Sequence, residues 1–130
     1  MGETSLNGSK RLIEKTIHYM QTHFHDKIDM VTLSSMAGLT TSSYSRLFKQ
    51  TMKEPPIKYL TRLRIERAKR LLYHNAGPVK EVSAAVGYGD EFYFSRIFHR
   101  MVGIPPSRYG KQKEMGKEEG SVMNEELFIN

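Results

Sequence analysis

Two arginines, Arg46 and Arg96, carry the most specific binding chemistry in this sequence, and they lie fifty residues apart. Each stands in the same short motif, Ser-Arg-Leu-Phe at 45–48 and Ser-Arg-Ile-Phe at 95–98. A guanidinium presents its N–H donors in a fixed fork, so it can bond guanine O6 and N7 together, or bind a phosphate. Repetition of the motif indicates two copies of one binding unit.

The repeat extends to a turn glycine, a proline pair and a tyrosine in each copy. The glycines, Gly38 and Gly87, lie upstream of the motif, where the repeat slips by one residue. Downstream, Pro55-Pro56 corresponds to Pro105-Pro106, and Tyr59 corresponds to Tyr109. Each copy is predicted to form a short helix, a glycine-centred turn and a longer helix with the arginine on its exposed side. Two such units in a basic chain favour a protein that reads DNA with two helices.

The composition supports a polyanionic partner and argues against several other classes of protein. A net charge of +6 and a pI of about 9.6 favour nucleic acid first and an acidic membrane second. The absence of cysteine excludes disulfides, thiol catalysis and cysteine-based zinc sites. The sequence has no apolar run of membrane-spanning length and no signal peptide. We therefore expect a cytoplasmic protein without a membrane partner.

No catalytic or metal-binding pattern stands out. The sequence shows no pair of nucleophile and base and no glycine-rich phosphate loop, so we expect neither an enzyme nor a bound cofactor. His23 and His25 are two residues apart, which does not place both on one helical face, and no third ligand is evident. A metal site is therefore not predicted.

The elements that must position the two arginines are all predicted helices, so the expected fold class is all-α. Residues 1–9 are expected to form a disordered leader, and 111–130 a loose tail. Apolar periodicity, with glycine and proline stops, predicts a helix from Lys10 onward and further helices over 30–37, 41–52, 57–75, 78–86 and 90–102, with a short one around Tyr109.

Particular residues are expected to end these helices or to fill their buried side. The predicted N-caps are Asp29, Thr40 and Asp90. Gly38 and Gly87 can take the left-handed conformation that ends a helix. Four aromatic residues of the longer helices are predicted to be core: Tyr44, Phe48, Phe94 and Phe98.

The long helix over 57–75 is strongly basic, and one of its cations, Arg64, falls inside the apolar stripe. A partly buried guanidinium needs a carboxylate partner, so Arg64 is expected to be structural and to pair with Glu81 or Asp90. The other cations are assigned to the exposed faces: Lys58, Arg62, Arg67, Lys69 and Arg70.

The second copy reads Val-Gly-Tyr-Gly-Asp-Glu-Phe-Tyr-Phe-Ser-Arg-Ile-Phe-His-Arg-Met-Val-Gly-Ile-Pro-Pro-Ser-Arg-Tyr over 86–109, which resembles the signature of the AraC/XylS family of bacterial transcription regulators. The stretches at 64–72 and 38–48 look like that family's linker helix and first recognition helix. The resemblance covers about 10–110. It implies a seven-helix domain in which two helix-turn-helix subdomains, at about 30–52 and 78–102, are joined by a linker helix and enter successive major grooves of DNA.

Matching residue by residue assigns the roles that the resemblance implies. Base contacts are expected from Ser42, Ser45, Arg46, Glu91, Tyr93, Ser95 and Arg96. DNA-backbone contacts are expected from Thr40, Thr41, Ser43, Lys49, Arg62, Arg100 and Arg108. Structural roles are expected for Gly38, Arg64, Gly87, Asp90 and Pro106.

Several alternatives stay open at this point. The leading interpretation is a sequence-specific regulator that binds double-stranded DNA. It is either the DNA-binding part of a longer regulator, whose small-molecule effector would act through a sensing domain absent from this chain, or a short stand-alone activator. The alternative is a basic helical interaction module that contacts an acidic partner such as RNA polymerase. Glu91 could accept from cytosine N4, or it could be a first-turn carboxylate favoured by the helix dipole.

Overall fold

The computed structural model describes residues 2–110, and within them it contains helices and turns but no strand. The helices are α1 Gly2–His23, α2 Met30–Met36, α3 Thr41–Met52, α4 Pro56–Tyr73, α5 Val79–Ala85 and α6 Glu91–Val102. A seventh helical stretch, α7, occupies 106–110. The all-α prediction is confirmed, and the predicted helix boundaries agree with the structure to within about two residues from α2 onward.

The start of the first helix differs from the expectation. α1 begins at Gly2, whereas the sequence predicted a disordered leader over 1–9 and a helix from Lys10. The leader was predicted from its content of glycine, serine and asparagine, which are poor helix formers. Extending an existing helix is far easier than nucleating one, and this lets α1 continue through such residues. The predicted loose tail over 111–130 lies outside the described residues.

The chain divides into two compact units within α4, unit 1 up to Leu63 and unit 2 from Arg64. Unit 1 has its own core beneath α1, α2, α3 and the first half of α4, formed by Ile13, Met20, Ile28, Leu33, Ala37, Tyr44, Phe48, Tyr59 and Leu60. Unit 2 has a separate core formed by Ile65, Ala68, Leu72, Val82, Val86, Tyr88, Phe94, Phe98 and Tyr109. The four aromatic residues predicted to be core are all fully buried.

A buried chain of hydrogen bonds ties α3 to α1 in unit 1. The hydroxyl of Tyr44 donates to Oγ1 of Thr16 at 2.8 Å, and Thr16 donates to the carbonyl of Ile13, also at 2.8 Å. Burial raises the pKa of the Tyr44 phenol above its usual value, and the bond to Thr16 opposes this shift. The corresponding position in unit 2 is Phe94, whose ring packs on Phe98 with centroids 5.7 Å apart.

The tight turn between the two helices of each unit is closed in the same way. The amide of Leu39 donates to the carbonyl of Ser34 at 3.0 Å, and the amide of Tyr88 donates to that of Ser83 at 2.9 Å. Gly38 and Gly87 occupy the left-handed position of these turns, with φ of 69° and 100°. Such six-to-one bonds satisfy carbonyls that the helix leaves open, so the two turns orient the following helices alike.

Side chains at the predicted N-caps begin three of the helices. Oδ1 of Asp29 accepts from the amide of Thr32 at 2.9 Å, and Oγ1 of Thr40 accepts from the amide of Ser43 at 3.1 Å. Asp90 caps α6 by accepting from two amides of its first turn, at 2.9 and 3.3 Å. These bonds use donors that the first turn of a helix cannot satisfy internally.

Lys69 is a correction to the sequence-based assignment of α4, because it is buried, with 4% of its surface exposed. Its Nζ donates to Oε1 of Glu66 at 2.9 Å. At about 100° per residue it lies close to Ile65 and Leu72 on the apolar side of the helix. A lysine can cover apolar surface with its methylene stem when its ammonium group has a partner.

Candidate nucleic-acid interface

The recognition helix of unit 1, α3, separates a buried side from a polar, basic one. Tyr44 and Phe48 face the core, one turn apart. The opposite side exposes Thr41, Ser42, Arg46 and Lys49, with Ser43 and Ser45 half-buried beside them. Because Ser42 and Arg46 are four residues apart, their side chains lie on the same face of the helix.

The recognition helix of unit 2, α6, repeats this division. Phe94 and Phe98 face the core at the matching positions. The exposed side carries Phe92, Tyr93, Arg96, His99 and Arg100, with Glu91 and Ser95 half-buried. All seven residues that the sequence assigned to base contacts therefore lie on the exposed side or the half-buried flanks of α3 and α6.

One exposed position on α6 was missed by the sequence-based assignment. Phe92 corresponds to Ser42 through the fifty-residue repeat and lies on the same face as Arg96. It was left out although Ser42 was assigned to base contact. The repeat offset was the signal that could have identified it.

Tyr93 contacts two neighbouring groups of unit 2. Its ring centroid is 5.9 Å from that of Tyr88, with the two ring planes tilted by 56°, and Cζ of Arg96 lies 5.9 Å from the Tyr93 centroid. Cζ of Arg64 lies 5.3 Å from the Tyr88 centroid. Guanidinium groups bind aromatic faces through the ring quadrupole, so the contact with Tyr93 favours one placement of the Arg96 side chain.

The contact between Arg64 and Tyr88 supports the structural role predicted for Arg64. The residue is half-buried and packs on Tyr88, a core residue of the same unit. The carboxylate partner that the sequence predicted, Glu81 or Asp90, stays a prediction. Asp90 is already bonded to the first-turn amides of α6.

Arg62, predicted to contact the DNA backbone, already has partners in unit 1. Its guanidinium forms an ion pair with Glu54 and lies 5.3 Å from the centroid of Tyr59. Nearly half of its side chain is exposed, so a phosphate could still approach it. Any such contact would share the guanidinium with Glu54, which lowers the gain from each partner.

Most of the remaining predicted backbone contacts lie at exposed ends or on exposed faces of the helices. Lys49, Arg100 and Arg108 are exposed, whereas Pro106, which was assigned a structural role, is buried at the start of α7. Thr40 is exposed, but its hydroxyl is used as the cap of α3. A phosphate near Thr40 could still be bound by the first-turn amides that the cap leaves open.

Residues 2–110 offer neither a metal site nor a membrane-spanning helix. No group of three or more histidine, cysteine, aspartate or glutamate residues in 2–110 could hold a metal ion. Within the same residues, none of the helices combines the length and apolar character needed to cross a bilayer.

Both units thus present a short helix, a glycine turn and a twelve-residue helix with an exposed arginine, which defines the helix-turn-helix class of DNA-binding fold. A profile of the "Helix-turn-helix domain" family matches residues 33–112. The chain is 43% identical over 101 residues to the HTH-type transcriptional activator Btr of Bacillus subtilis, an alignment that covers 78% of this chain. The chain belongs to the AraC-type helix-turn-helix family, which is a family of transcription regulators and not an enzyme family.

Solved structures agree with this assignment. The C-terminal domain of AraT, a response regulator from Geobacillus stearothermophilus, matches with a TM-score of 0.75 and 27% identity, over 78% of this chain and 84% of that one. The DNA-binding domain of AdpA, solved with a target DNA, shares the fold with a TM-score of 0.78 and 23% identity, over 83% and 97% of the two chains. The chain spans only 19% of the length of Btr, and 26% to 37% of seven other curated relatives.

Proposed function

We propose that this chain is the DNA-binding part of a longer, effector-responsive transcription regulator that acts in the cytoplasm. The observation that carries the proposal is the matched pair of helices α3 and α6, each with aromatic residues inward and an arginine outward. The length of the curated relatives supports a longer protein. In such a protein the effector would act through a domain outside this chain.

In the proposed complex, α3 and α6 each enter a major groove of the same duplex. Arg46 and Arg96 bond guanine O6 and N7, because a guanidinium matches these two acceptors. Ser42, Ser45 and Ser95 make weaker contacts to base edges, since a single hydroxyl discriminates poorly between bases. Glu91 and Tyr93 are the remaining base-contacting residues of α6.

Contacts to phosphate would set the position of the two helices and supply most of the salt dependence. The proposed phosphate-binding residues are Thr40, Thr41, Ser43, Lys49, Arg62, Arg100 and Arg108. Of these, four are exposed cations, but Arg62 already pairs with Glu54, so Lys49, Arg100 and Arg108 are expected to dominate the electrostatic contribution.

Selection of bound sequences from random duplexes tests this function directly. The expected result is a site with two preferred blocks about 10 bp apart, one for each recognition helix. Binding to the selected site should weaken linearly with log salt, with a slope of about −0.9 for each phosphate contact. A chain that enriches no sequence and binds RNA polymerase instead would contradict the proposal and favour the interaction-module alternative.

A further inference from the structure

Phe92 is the most exposed large apolar side chain among residues 8–110, with 72% of its surface exposed. It lies in the first turn of α6, next to the Asp90 cap. A phenyl ring gains free energy when its surface is removed from water, and an exposed one on a recognition face points to a surface that covers it. The ring offers no conventional hydrogen-bond donor or acceptor, so an apolar group is a favourable partner for it on a surface of base edges.

The repeat places Phe92 at the position that Ser42 occupies in the other recognition helix. Both residues precede the exposed arginine of their helix by four positions, so each shares a face with it. Side chains spaced in this way are about 5–6 Å apart at Cβ, and base pairs rise about 3.4 Å each. A phenyl ring at Phe92 would therefore reach an edge one or two base pairs from the guanine bound by Arg96.

The floor of the major groove offers one apolar group, the C5-methyl of thymine. We infer that Phe92 is a further specificity-determining residue, which selects a thymine by packing its ring on that methyl group. This inference rests on the proposed function, and it adds a kind of readout that none of the hydroxyl, carboxylate or guanidinium groups on α3 and α6 supplies.

Replacing thymine by deoxyuridine, one position at a time in the selected duplex, tests the contact. The change removes the C5-methyl and keeps the base pair and its hydrogen-bonding edges. We expect one position, one or two base pairs from the guanine read by Arg96, to bind the unaltered protein about fourfold more weakly as deoxyuridine, which is the value of one buried methyl group. Phe92→Ala should bind the thymine and deoxyuridine duplexes equally at that position, while Phe92→Leu should keep part of the difference.

Met101→Ala is the matched control on the same helix. Met101 is also an exposed apolar residue, at 41%, but it lies nine positions further on, about 180° around α6 from Phe92. This variant should keep the full difference between thymine and deoxyuridine. Thermal melting without DNA should be close to the parent's for both Phe92 variants, because the side chain packs little in the free protein.

The outcomes separate this inference from the function on which it rests. If the protein selects a site but no thymine position is sensitive, or if Phe92→Ala keeps the same sensitivity, the thymine contact is wrong and the DNA-binding function stands. If the protein selects no site, the proposed function is itself wrong, and the thymine contact is overturned with it. A loss of sensitivity in Phe92→Ala and not in Met101→Ala supports the inference.

Discussion

Units 1 and 2 share one backbone plan but differ in the residue buried at the centre of the core and in the side chains exposed on the recognition helix. At the centre of unit 1, Tyr44 buries a hydroxyl that Thr16 satisfies, whereas unit 2 buries a hydrocarbon ring, Phe94, at the same place. Their turns and their inward aromatic positions are the same. The comparison teaches that the repeated plan fixes where groups are buried, while the chemistry of the buried group depends on its neighbours.

The two recognition helices differ as much as the two cores. α3 presents small hydroxyl side chains around Arg46, and α6 presents a carboxylate, two aromatic rings and Ser95 around Arg96. Small hydroxyl groups can bond to more than one kind of base edge. An arginine in contact with Tyr93 and an exposed phenyl ring each favour one base, guanine and thymine respectively. Discrimination between sequences is therefore expected to depend more on α6 than on α3.

The largest expected effect is the loss of DNA affinity when Arg46 or Arg96 is replaced, and it should differ between the two arginines. Arg46→Ala and Arg96→Ala should each weaken binding to the selected site by about 1–3 kcal/mol, with Arg96→Ala at the upper end because Tyr93 restrains that guanidinium before binding. Affinities for the selected and for a random duplex measure this. Lys49→Ala, a proposed phosphate contact, should weaken both duplexes alike. An unchanged ratio of the two affinities in both arginine variants would end their assignment as base readers.

The next largest effect is on the free energy of unfolding, when the buried residues Tyr44 and Phe94 are each replaced by the residue type of the other. Phe94→Tyr places a hydroxyl among the aromatic rings of unit 2 and should cost about 2 kcal/mol of unfolding free energy if the group is left without a partner. Tyr44→Phe should cost about 1 kcal/mol, because it removes a single hydrogen bond and Thr16 keeps its bond to Ile13. Urea unfolding of the two variants decides the matter. A Phe94→Tyr protein as stable as the parent would show that unit 2 can also satisfy a buried hydroxyl.

A third comparison concerns the arginine–tyrosine pair of each unit. Arg64→Ala should lower the unfolding free energy by about 1–2 kcal/mol, since Arg64 is half-buried on the core residue Tyr88. Arg62→Ala should cost less than about 0.5 kcal/mol, because its ion pair with Glu54 and its contact with Tyr59 are partly exposed. Thermal melts without DNA compare the two. Identical melting temperatures for Arg64→Ala and the parent would contradict the structural role and make a phosphate contact the better assignment for Arg64.

The C-terminal caps of α3 and α6 give a smaller effect of opposite sign in the two units. Both are left-handed, but the cap is Lys53 in unit 1, with φ of 66°, and Gly103 in unit 2, with φ of 99°. Lys53→Gly should stabilise the protein by about 0.5 kcal/mol, and Gly103→Ala should destabilise it by about 1 kcal/mol, because only glycine takes this conformation without a steric penalty. Space is not the cause at Gly103, since an added Cβ would meet nothing within 4 Å. Stabilisation by Gly103→Ala would contradict this explanation.

The smallest expected effect is a pH dependence confined to the cap of α2. The backbone amide of Thr32, followed by its hydroxyl, lowers the pKa of Asp29, whereas α5 in unit 2 begins after Pro78, which cannot titrate. The stabilisation is therefore complete above the unfolded pKa of about 3.9 and is lost as the pH falls through the lower folded value. Asp29→Asn, which still caps α2, should flatten this part of the stability curve at acid pH, below the unfolded pKa. An identical acid response in both proteins would assign the effect to other carboxylates.

Much of the fold followed from local signals in the sequence. Asp29 and Thr40 cap helices because short side-chain oxygens bind the first-turn amides, and this property depends on the residue type and its neighbours in the chain. The inward aromatic residues followed from helical periodicity. The exposed position predicted for Lys69 was wrong, because it followed from the charge of the side chain. The angular position of Lys69 on α4 places it beside Ile65 and Leu72.

The parts of the candidate site that the sequence did not reveal depend on neighbours from other elements. Tyr93 was predicted as a base reader, but nothing in its own helix indicates that its ring lies against Tyr88. The Glu54 partner of Arg62 comes from the turn before α4, and its choice requires the folded geometry. Phe92 is different, since the repeat was enough to identify its position, but it was missed because its residue type did not fit the polar chemistry expected of a recognition helix.

The boundary between the units falls inside α4, an eighteen-residue helix whose Leu60 belongs to one core and whose Ile65, Ala68 and Leu72 belong to the other. Isolated helices shorter than about 12–15 residues are marginal in water, so each half of α4 depends on packing against its own core to stay helical. Leu60 makes this contact in unit 1, and Ile65, Ala68 and Leu72 make it in unit 2. One continuous helix thus carries the apolar residues of two separate cores, and a substitution at any of these four positions is expected to destabilise the unit whose core it lines.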